Sequence, residues 1–451
     1  MDPKHVVVLG AGISGLWAVH TLLRLNPDLE VTVLEKQAAP GGLFDSSDRC
    51  GFHFNHGLFL FPADSPLIAL QPHRFSPITV SYDKVINGRM IRFPVDPLEM
   101  QAICRPARIP GFLIHMARRQ VKRSGNGIPG DLNEWLRLHL PDTWSRIFRI
   151  DDYVYKLMGH EPEQLSHEVG KQRLEYIVRM LRPENLSRHM MRKIRRSLGS
   201  KPAGPPPASV VSHYTLDREG TGGFVRELAD RVTAKGTRIL NRVSVRRITG
   251  TDPGFRIDID NNDPIHCDLV VSTIPLTELA AYRTDAAPPM ETLKWRNIGL
   301  FFFRLRRTLP DQPIRVIYSF DRNQVWKRVV MRRIDDTSAA VRAEMCSHDP
   351  LKPRHGELMK TIRTDLSELF QVTRDTDWMD WDALDVPYGY PCLLKGYEQQ
   401  VDRVMATILE PGICTLSRQG VHRYSTSSIC ARLVEKGVSD FASRYGLYRS
   451  V

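Results

Sequence analysis

The stretch VVVLGAGISGL, residues 6–16, decides the fold of this chain. The β-branched run before Gly10 predicts a buried parallel strand, and the periodicity that follows predicts a helix to about Leu25. Between them, Gly10 permits a tight turn, Gly12 lets backbone amides approach a pyrophosphate, and Gly15 lets the helix pack closely on the strand. The free N–H groups at the helix N-terminus add partial positive charge. The stretch therefore predicts a dinucleotide site.

Two features after this stretch narrow the choice of nucleotide. Residues 30–36, EVTVLEK, predict a second strand, and Glu35 near its end lies 20 positions after Gly15, where a carboxylate can bind a ribose hydroxyl. The pair Gly41–Gly42 follows shortly afterwards and is typical of FAD proteins rather than of nicotinamide enzymes. A glycine-rich loop with a purely conformational role is the alternative interpretation of that pair.

The length and the net charge of the chain limit the classes of protein to which it can belong. The chain has 451 residues and a formal net charge of +12, so we expect two intertwined domains and anionic partners. The basic residues are not interleaved with stacking aromatics, so no nucleic-acid partner is expected. The basic segment 187–199 has helical spacing and predicts either a solvated helix or a peripheral contact with an acidic membrane. The sequence leaves the oligomeric state open.

Cysteine usage and hydropathy bear on compartment and metals. Seven cysteines without CxxC spacing fit a reducing cytosol and argue against structural zinc. We find no apolar run of the roughly 18 residues that span a bilayer and no charged-then-apolar leader, so we expect a cytoplasmic protein. Two histidines alone, His53 and His56, do not predict a metal site.

Further along the chain, the strand–helix alternation is interrupted and then resumes. The segment around NGR, residues 87–89, predicts a hairpin, and from Pro97 to Leu198 the periodicity is mainly helical. The Pro-rich segment 201–209 predicts a stiff exposed linker. After it, an amphipathic helix at 222–236 and several strands resume the first pattern, and a last helix is predicted from about Ser427 to Gly437.

Five segments, in their order along the chain, resemble an FAD-containing group that joins protoporphyrinogen oxidase, amine oxidases and UDP-galactopyranose mutase, nearest its mutase-like branch. They are GGLFDSSDRCGFHFNHGLFLF (41–61), NGRMIRFPVD (87–96), residues 132–175 with EPEQLSHEVGKQR near their end, DLVVSTIPLTEL (268–279) and DVPYGYPCLLKGYEQQVDRV (385–404). The resemblance implies an α/β fold in which a discontinuous Rossmann-like FAD-binding domain is interleaved with an α+β substrate domain. The FAD-binding domain would comprise residues 1–76, 210–285 and 405–451, and the substrate domain residues 77–209 and 286–404.

The resemblance also implies which residues contact FAD. They are Gly10, Gly12, Ile13, Ser14, Gly15, Glu35, Lys36, Gly42, Leu43, Gly57, Val245, Thr273, Arg418 and Ser427. Val245 would meet the adenine through its backbone, whereas Arg418 and the start of the last helix would lie along the ribityl and pyrimidine side.

Three residues are candidates for chemistry. His56 lies in the segment that resembles a loop crossing the flavin, so proton handling is one interpretation and packing is the other. Arg296 stands where mutase-like relatives place a basic residue facing substrate phosphates, and a structural salt bridge is the alternative. Tyr390, like Tyr388 and Tyr397, matches the aromatic segment that lines the pocket, and at least one of the three is expected in the core.

Three departures from the family pattern bear on function. Ser417–Arg418 replaces a Gly-Arg pair, so we expect the close backbone approach to be compromised. Residues 425–428, Ser-Thr-Ser-Ser, replace an acidic or amide-rich turn, but Ser and Thr are good N-caps that still let the last helix aim N–H groups at the flavin. Gly57–Leu58–Phe59 replaces the Gly-Pro-His of the mutases, which counts against mutase chemistry.

The leading hypothesis is an FAD-dependent oxidoreductase that transfers hydride to flavin N5 from an anionic or amine-bearing small molecule. Phosphorylated and sugar-linked molecules are included in this substrate range. The first alternative is a redox-neutral, UDP-galactopyranose mutase-like enzyme that acts on a nucleotide- or lipid-linked sugar. The second is a non-catalytic flavin-fold scaffold, supported only by the altered C-terminal segment. The sequence leaves the substrate and the electron acceptor open.

Overall fold

The structure is a computed structural model that describes residues 3–93, 128–140, 142–180, 213–260, 262–283, 289–307 and 314–448. The basic segment 187–199 and the linker 201–209 lie outside these residues. Among the helices described, none combines the length and the apolar character needed to cross a membrane.

The secondary structure of the described ranges has the following bounds. The strands are β1 (His5–Leu9), β2 (Glu30–Glu35), β3 (Ser46–Arg49), β4 (Phe52–Asn55), β5 (Phe75–Ile78), β6 (Val80–Ile86), β7 (Arg89–Phe93), β8 (His213–Leu216), β9 (Arg238–Asn241), β10 (Val245–Gly250), β11 (Phe255–Ile259), β12 (Ile265–Cys267), β13 (Leu269–Ser272), β14 (Leu293–Leu305), β15 (Ile314–Ser319), β16 (Arg328–Arg333), β17 (Ala339–Ser347), β18 (Trp378–Leu393) and β19 (Ile413–Thr415). The helices are α1 (Ile13–Leu25), α2 (Pro66–Leu70), α3 (Leu132–His139), α4 (Asp142–Ile147), α5 (Ile150–Met158), α6 (Glu175–Met180), α7 (Gly220–Thr233), α8 (Leu276–Arg283), α9 (His355–Phe370), α10 (Tyr397–Ile408), α11 (Ser417–Gly420) and α12 (Ser427–Tyr445), with a π-helical turn at Gly170–Leu174 and 3₁₀ turns at Pro72–Arg74, Pro162–Gln164, Lys352–Arg354 and Asp375–Asp377.

A parallel sheet in the order β19-β13-β1-β2-β9 forms one layer of the molecule. On one face, Val6 and Val8 of β1 pack into an apolar cluster with residues of α1, α7 and α12. On the other face, Val7 and Leu9 belong to the core that the sheet shares with the rest of the protein. Because β2 and β13 flank β1 on opposite sides, the winding reverses at β1, which is where open parallel sheets bind ligands.

A second, seven-stranded sheet in the order β18-β14-β17-β16-β15-β6-β7 is antiparallel except for the pair β15–β6. The predicted hairpin is confirmed, because Asn87 and Gly88 join β6 to β7 with positive φ angles of 53° and 70°, as a two-residue hairpin turn requires. One face of this sheet packs on α9 through Phe301 and Phe303, and the other shares the main core with α3, α4 and α5.

Three smaller sheets complete the described structure. They are the antiparallel ribbon β10-β11-β12 and the two-stranded pairs β3–β4 and β5–β8. The α/β fold class predicted from the sequence is confirmed, with a Rossmann-like parallel sheet and a second sheet whose strands alternate with it along the chain. The boundaries of the five predicted domain segments stay a prediction.

The last helix is longer than predicted. Gly437 does not end the helix but lies inside it. A Cβ at this position would lie 2.5 Å from Leu416 Cδ2, so the glycine lets the helix pack closely on Leu416. The buried side chains of Val438 and Phe441 continue the helix to Tyr445. Gly446, with φ +62°, then provides the left-handed cap.

Substituting Gly15 with alanine tests the close contact between α1 and the end of β1. A Cβ at this position would lie 1.8 Å from the carbonyl oxygen of Gly10, so we expect Gly15→Ala to lower the free energy of unfolding by about 3 kcal/mol. Chemical denaturation measures this. Gly356→Ala, where no atom lies within 4 Å of the new Cβ, is the matched control. Equal free energies of unfolding of the two variants would contradict a close contact between Gly15 and Gly10.

Candidate functional site

Two stretches of backbone face each other at the carboxyl end of β1. Gly10 turns the chain with φ +93°, and its N–H donates to Leu34 O at 2.8 Å. Gly12, the N-cap of α1, forms a parallel bridge with Gly41. A Cβ on Gly42 would lie 3.7 Å from the Cα of Gly12. The missing side chains leave a shallow cradle at the N-terminus of α1, beside Ile13 and Ser14.

Three residues that are predicted to contact the nucleotide half of FAD lie around this cradle. Glu35 ends β2 and is 6% exposed, and its carboxylate accepts hydrogen bonds of 2.8 Å from the N–H groups of Ala11 and Gln37. Thr273 Oγ1 donates to Leu9 O at 2.9 Å. Val245 starts β10, two residues after Val243, whose N–H donates to Glu35 O at 3.0 Å. The structure therefore brings Glu35, Thr273 and Val245 to one edge of the parallel sheet.

Two other predicted cofactor residues have contacts of their own. Lys36 Nζ donates to Glu278 Oε1 at 2.7 Å and lies 5.4 Å from the ring centroid of Tyr388. Leu43 is partly buried and packs against the main core. These contacts are all within the protein, so the predicted contacts of Lys36 and Leu43 with FAD stay a prediction.

The C-terminal segment lies against the start of α1. Ser14 Oγ is 3.2 Å from Cys430 Sγ, so the first turns of α1 and α12 meet. Thr426 caps α12, with its side chain accepting a hydrogen bond from Ile429 N–H, and Ser427 is the first helical residue. Ser417 holds φ +72°. The left-handed conformation that glycine favours is thus kept despite the serine.

Several polar atoms of this segment are buried without a hydrogen-bond partner in the described part of the chain. They are Ser417 Oγ, Arg418 Nε and Nη2, Gln419 Oε1 and Ser425 Oγ. Buried polar groups in native proteins are nearly always hydrogen-bonded. Such a run of unsatisfied donors and acceptors next to a helix N-terminus is therefore expected to meet a polar ligand.

The loop after β4 carries His56 and Gly57. Arg342 of β17 donates through Nη1 to Asn55 O and to Gly57 O, the latter at 2.9 Å. Burial, and then the nearby Arg342 and Arg49, lower the pKa of His56 to about 4. Its imidazole is therefore neutral near pH 7. The described contact of its Nε2 is with Ser47 Oγ at 3.1 Å, and its catalytic role stays a prediction.

A group of buried and half-buried polar residues, here called the cation cluster, lies on one face of the seven-stranded sheet. It comprises Arg173, Lys327, Arg328, Arg342, Glu344, Tyr390, Arg418 and Tyr424. The guanidinium carbon of Arg173 lies 3.8 Å from the ring centroid of Tyr424 and 4.4 Å from that of Tyr390. That of Arg418 lies 5.1 and 5.0 Å from the same two centroids. The two arginines and the two tyrosines thus form one stack.

Glu344 provides the negative charge of the cluster. Its carboxylate forms ion pairs with Lys327 at 2.7 Å and with Arg328, and it accepts a hydrogen bond of 2.9 Å from the hydroxyl of Tyr390. Burial alone would raise the pKa of Glu344, but Arg328 and Lys327 lower it below its usual value. The carboxylate is therefore ionised near pH 7.

The cluster carries more positive than negative charge. Its members are five cations against one carboxylate, and Lys327, Arg342 and Glu344 are each at most 4% exposed. Burial, and then Arg328, lower the pKa of Arg342 to about 10, which still leaves it charged near pH 7. Arg342 Nε and Nη2 have no hydrogen-bond partner among the described residues. Unpaired buried charge is costly, so this excess favours a bound anion.

Arg296 is placed differently from Tyr390, although the two are directly opposite in the β14–β18 ladder. Its Nη2 donates to Cys346 O at 2.7 Å and contacts Lys156 O at 3.5 Å. The described ranges show no carboxylate paired with Arg296 and no hydrogen bond from its side chain to the cation cluster. Its predicted role toward substrate phosphates stays a prediction.

Sequence reasoning missed most of the cation cluster. Tyr390 and Arg418 were predicted as site residues, but Lys327, Arg328 and Arg342 were not. One usable signal was the pair Arg342 and Glu344, two charged residues on one face of an otherwise apolar central strand. Another was Arg173, which ends the quoted pattern EPEQLSHEVGKQR and lies in a π-helical turn, a feature frequent at functional sites.

The histidine and carboxylate groups that the structure describes around His53, outside this cluster, have structural partners. His53 contacts Asp48 at 2.8 Å and Ser46 Oγ at 2.7 Å, which ties the β3–β4 hairpin to the start of α7. Across the ranges that the structure covers, no group of three or more His, Cys, Asp or Glu side chains is arranged to hold a metal ion.

The sequence profile of the flavin containing amine oxidoreductases matches residues 13–399. The chain belongs to this family. Its cofactor is therefore FAD, as predicted. The observed features fit this group, because a side-chain-free cradle at a helix N-terminus suits a pyrophosphate and the unsatisfied polar atoms of residues 417–425 suit a polar ring system.

Solved structures share the fold over nearly the whole length. Reduced UDP-galactopyranose mutase matches with a TM-score of 0.76 at 15% identity, over 99% of this chain and 95% of that chain. A protein assigned as a protoporphyrinogen oxidase from Exiguobacterium sp. 255-15 matches with a TM-score of 0.72 at 18% identity, over 98% and 100%. Cyclohexylamine oxidase from Brevibacterium oxydans IH-35A matches with 0.64 at 15% identity, over 98% and 100%. No curated protein matches the chain.

Ser417→Gly tests whether the serine is strained in the position where relatives usually have glycine. A left-handed non-glycine residue costs roughly 1–2 kcal/mol, so we expect Ser417→Gly to raise the free energy of unfolding by about 1 kcal/mol. Ser417→Ala removes the same hydroxyl but keeps the Cβ, so it should give no comparable gain. Chemical denaturation of both variants separates the effects, and equal gains would rule out backbone strain as the cause.

Proposed function

We propose that this chain is an FAD-dependent oxidoreductase that acts on a small molecule bearing a phosphate or carboxylate group. Membership of a flavin-containing family supports enzymatic redox chemistry in general. The observation that carries the narrower proposal is the cation cluster, in which five cations, Lys327 and Arg342 buried and the other three half-buried, stand against one carboxylate. FAD, when bound, supplies the chemistry by accepting a hydride equivalent from the substrate.

The proposed FAD contacts follow from the edge of the parallel sheet. The backbone of Gly10, Gly12 and Gly42, with the N-terminus of α1, would hold the pyrophosphate. Glu35, already fixed by two backbone N–H groups, would accept hydrogen bonds from the ribose. The unsatisfied atoms of Ser417, Arg418 and Ser425, with the N-terminus of α12, would bind the polar edge of the flavin.

The cation cluster would orient the substrate. The stack of Arg173 and Arg418 with Tyr390 and Tyr424 offers guanidinium donors in a buried setting, where charge-assisted hydrogen bonds to an oxyanion are strong. Burial alone would raise the pKa of Tyr424, but Arg173 and Arg418 lower it below its usual value. A protonated amine would be repelled by the same charges, so the cluster favours the anionic half of the predicted substrate range.

A redox-neutral, mutase-like reaction on a nucleotide- or lipid-linked sugar is the second candidate. The cation cluster would suit the phosphates of such a substrate equally well, and the fold resembles that of UDP-galactopyranose mutase. Position 59 argues against it. Phe59 packs on Phe44, with ring centroids 4.7 Å apart, and folds over Gly57, so the residue that replaces the histidine of the mutases is an aromatic packing residue.

Anaerobic bleaching of the oxidised flavin band tests the proposal. The panel pairs phosphates or carboxylates with their neutral analogues, and we expect an anionic member to reduce the flavin faster than its neutral partner. Arg173→Gln should lower kcat/KM for that anion by about 10- to 100-fold, chiefly through KM, because a charge-assisted hydrogen bond is lost. The neutral analogue should react equally with both proteins.

Arg354→Gln is the control, since Arg354 pairs with Glu357 on the exposed start of α9. Faster bleaching by neutral or cationic compounds, or an unchanged kcat/KM in Arg173→Gln, would overturn the anionic assignment. Rearrangement of a nucleotide-linked sugar by the prereduced enzyme, without consumption of reductant, would favour the mutase candidate instead.

A further inference from the structure

An irregularity in β18 turns Tyr388 out of the ladder of the seven-stranded sheet. The register between β14 and β18 shifts between Arg296 and Ile298, so residues 387–389 of β18 lie opposite Asn297 alone. Tyr388, the middle residue of this bulge, has a left-handed φ of +53°. Bulges often re-aim a side chain next to an active site, and a bulky residue keeps such a φ only where its contacts fix it. The contacts of Tyr388 therefore indicate what the bulge serves.

Tyr388 has contacts at its backbone, its ring and its hydroxyl. Gln419 Nε2 donates to Tyr388 O at 2.9 Å, and the Trp295 ring meets the Tyr388 ring edge-on, with centroids 5.7 Å apart. Lys36 Nζ lies 5.4 Å from the centroid of the Tyr388 ring, within the range of a cation–π contact. Burial, and then a hydrogen bond to Glu278, raise the pKa of Tyr388 above its usual value. The hydroxyl is therefore protonated near pH 7 and donates to the Glu278 carboxylate.

The polar partners of Tyr388 lie beyond the carboxyl ends of parallel strands. Lys36 directly follows β2, Glu278 lies in the first turn of α8 after β13, and Gln419 lies in α11 after β19. An ion pair of 2.7 Å joins Lys36 Nζ to Glu278 Oε1. Because β2 and β13 flank β1, this pair connects the two sides of the carboxyl end of β1. The glycine cradle around Gly12 lies at that same end, so Tyr388 reaches from the other sheet to the predicted cofactor site.

We propose that Tyr388 is a positioning residue for FAD. Its hydroxyl holds the Glu278 carboxylate, which in turn holds the Lys36 ammonium next to Glu35 and the glycine cradle. The side chain of Lys36 is 43% exposed, and an exposed lysine loses side-chain entropy when it binds an anion. Because Tyr388 and Glu278 fix the ammonium beforehand, Lys36 binds the nucleotide half of FAD at a lower entropic cost.

Tyr388 thus differs from the two tyrosines with which the family resemblance groups it. Tyr390 and Tyr397 are buried, and Tyr390 belongs to the cation cluster, whereas Tyr388 contacts the cofactor side. The seven-stranded sheet thereby becomes part of the FAD site, because β18 supplies the residue that fixes Lys36. This inference rests on the FAD cofactor of the family and not on the proposed substrate.

Release of FAD from the holoenzyme after dilution tests this role, with the rise of flavin fluorescence as the readout. We expect Tyr388→Phe, which loses the hydroxyl but keeps the ring, to release FAD about 5-fold faster than the wild type. Tyr388→Ala, which also loses the ring beside Lys36, should release FAD about 30-fold faster. Tyr155→Phe is the matched control, because Tyr155 lies on α5 with its ring centroid 3.7 Å from the guanidinium carbon of Arg322. Its release rate should equal that of the wild type.

A double-mutant cycle tests whether the Tyr388 hydroxyl acts through Glu278. Glu278→Ala frees Lys36, so we expect this variant to release FAD about 5-fold faster than the wild type. In the Glu278→Ala background, Tyr388→Phe should change the release rate by less than about 1.5-fold, because the two residues act in one chain of contacts. Fully multiplicative effects of the two substitutions would overturn this chain from Tyr388 through Glu278 to Lys36.

Chemical denaturation of the same variants separates positioning from folding. A lower free energy of unfolding with wild-type FAD release in both Tyr388 variants would give the bulge a structural role only and overturn the proposal. Slower FAD release would mean that the pair of Lys36 and Glu278 hinders the nucleotide, and would overturn it as well. If Tyr388→Ala does not fold, Tyr388→Phe and the double-mutant cycle still decide. Flavin bleaching by substrates is a separate readout, so this proposal and the proposed function can fail independently.

Discussion

The close approach of Gly15 to Gly10 is the contact on which the rest of the site depends. Because no Cβ separates α1 from the turn after β1, the helix N-terminus is held at the carboxyl edge of the parallel sheet. That position lets Ser14 reach Cys430 and so fixes the start of α12. It also places Gly12 against Gly41. One steric requirement in the first βαβ unit therefore determines where two helix N-termini and two glycine loops meet.

The cation cluster adds an excess of positive charge, which the cofactor cradle lacks. Arg342 and Glu344 lie on β17, and Lys327 directly precedes the neighbouring β16. Tyr390 of β18 hydrogen-bonds to Glu344. Burying such charges is unfavourable unless they are paired, and Glu344 neutralises only part of the positive charge. The edge of the parallel sheet thus suits the flavin cofactor of the family, whereas the charged face of the other sheet supports the kind of substrate that we propose.

The local features of the fold could be predicted from the sequence, but the long-range ones could not. The glycine spacing dictates a turn within eleven residues, and Asn87–Gly88 dictates a hairpin, because both depend on backbone conformation alone. The cation cluster depends on strand register and on a π-helical turn, so local signals mark Arg342, Glu344 and Arg173 as unusual but do not show that they come together. Arg296 shows the limit: it is opposite Tyr390 in the ladder, yet next to an irregularity before Ile298 and bound to backbone carbonyls. The left-handed conformation of Ser417 was likewise invisible in sequence, because serine seldom adopts it.

A crystal structure of the FAD-loaded protein with a substrate identified by flavin bleaching tests the central claim most directly. The account predicts that the phosphate or carboxylate of the substrate lies between the guanidinium groups of Arg173 and Arg418, within hydrogen-bond distance of both. It would be contradicted if that group lay elsewhere, or if FAD itself filled the space between Arg173 and Arg418 so that the substrate could reach neither guanidinium group.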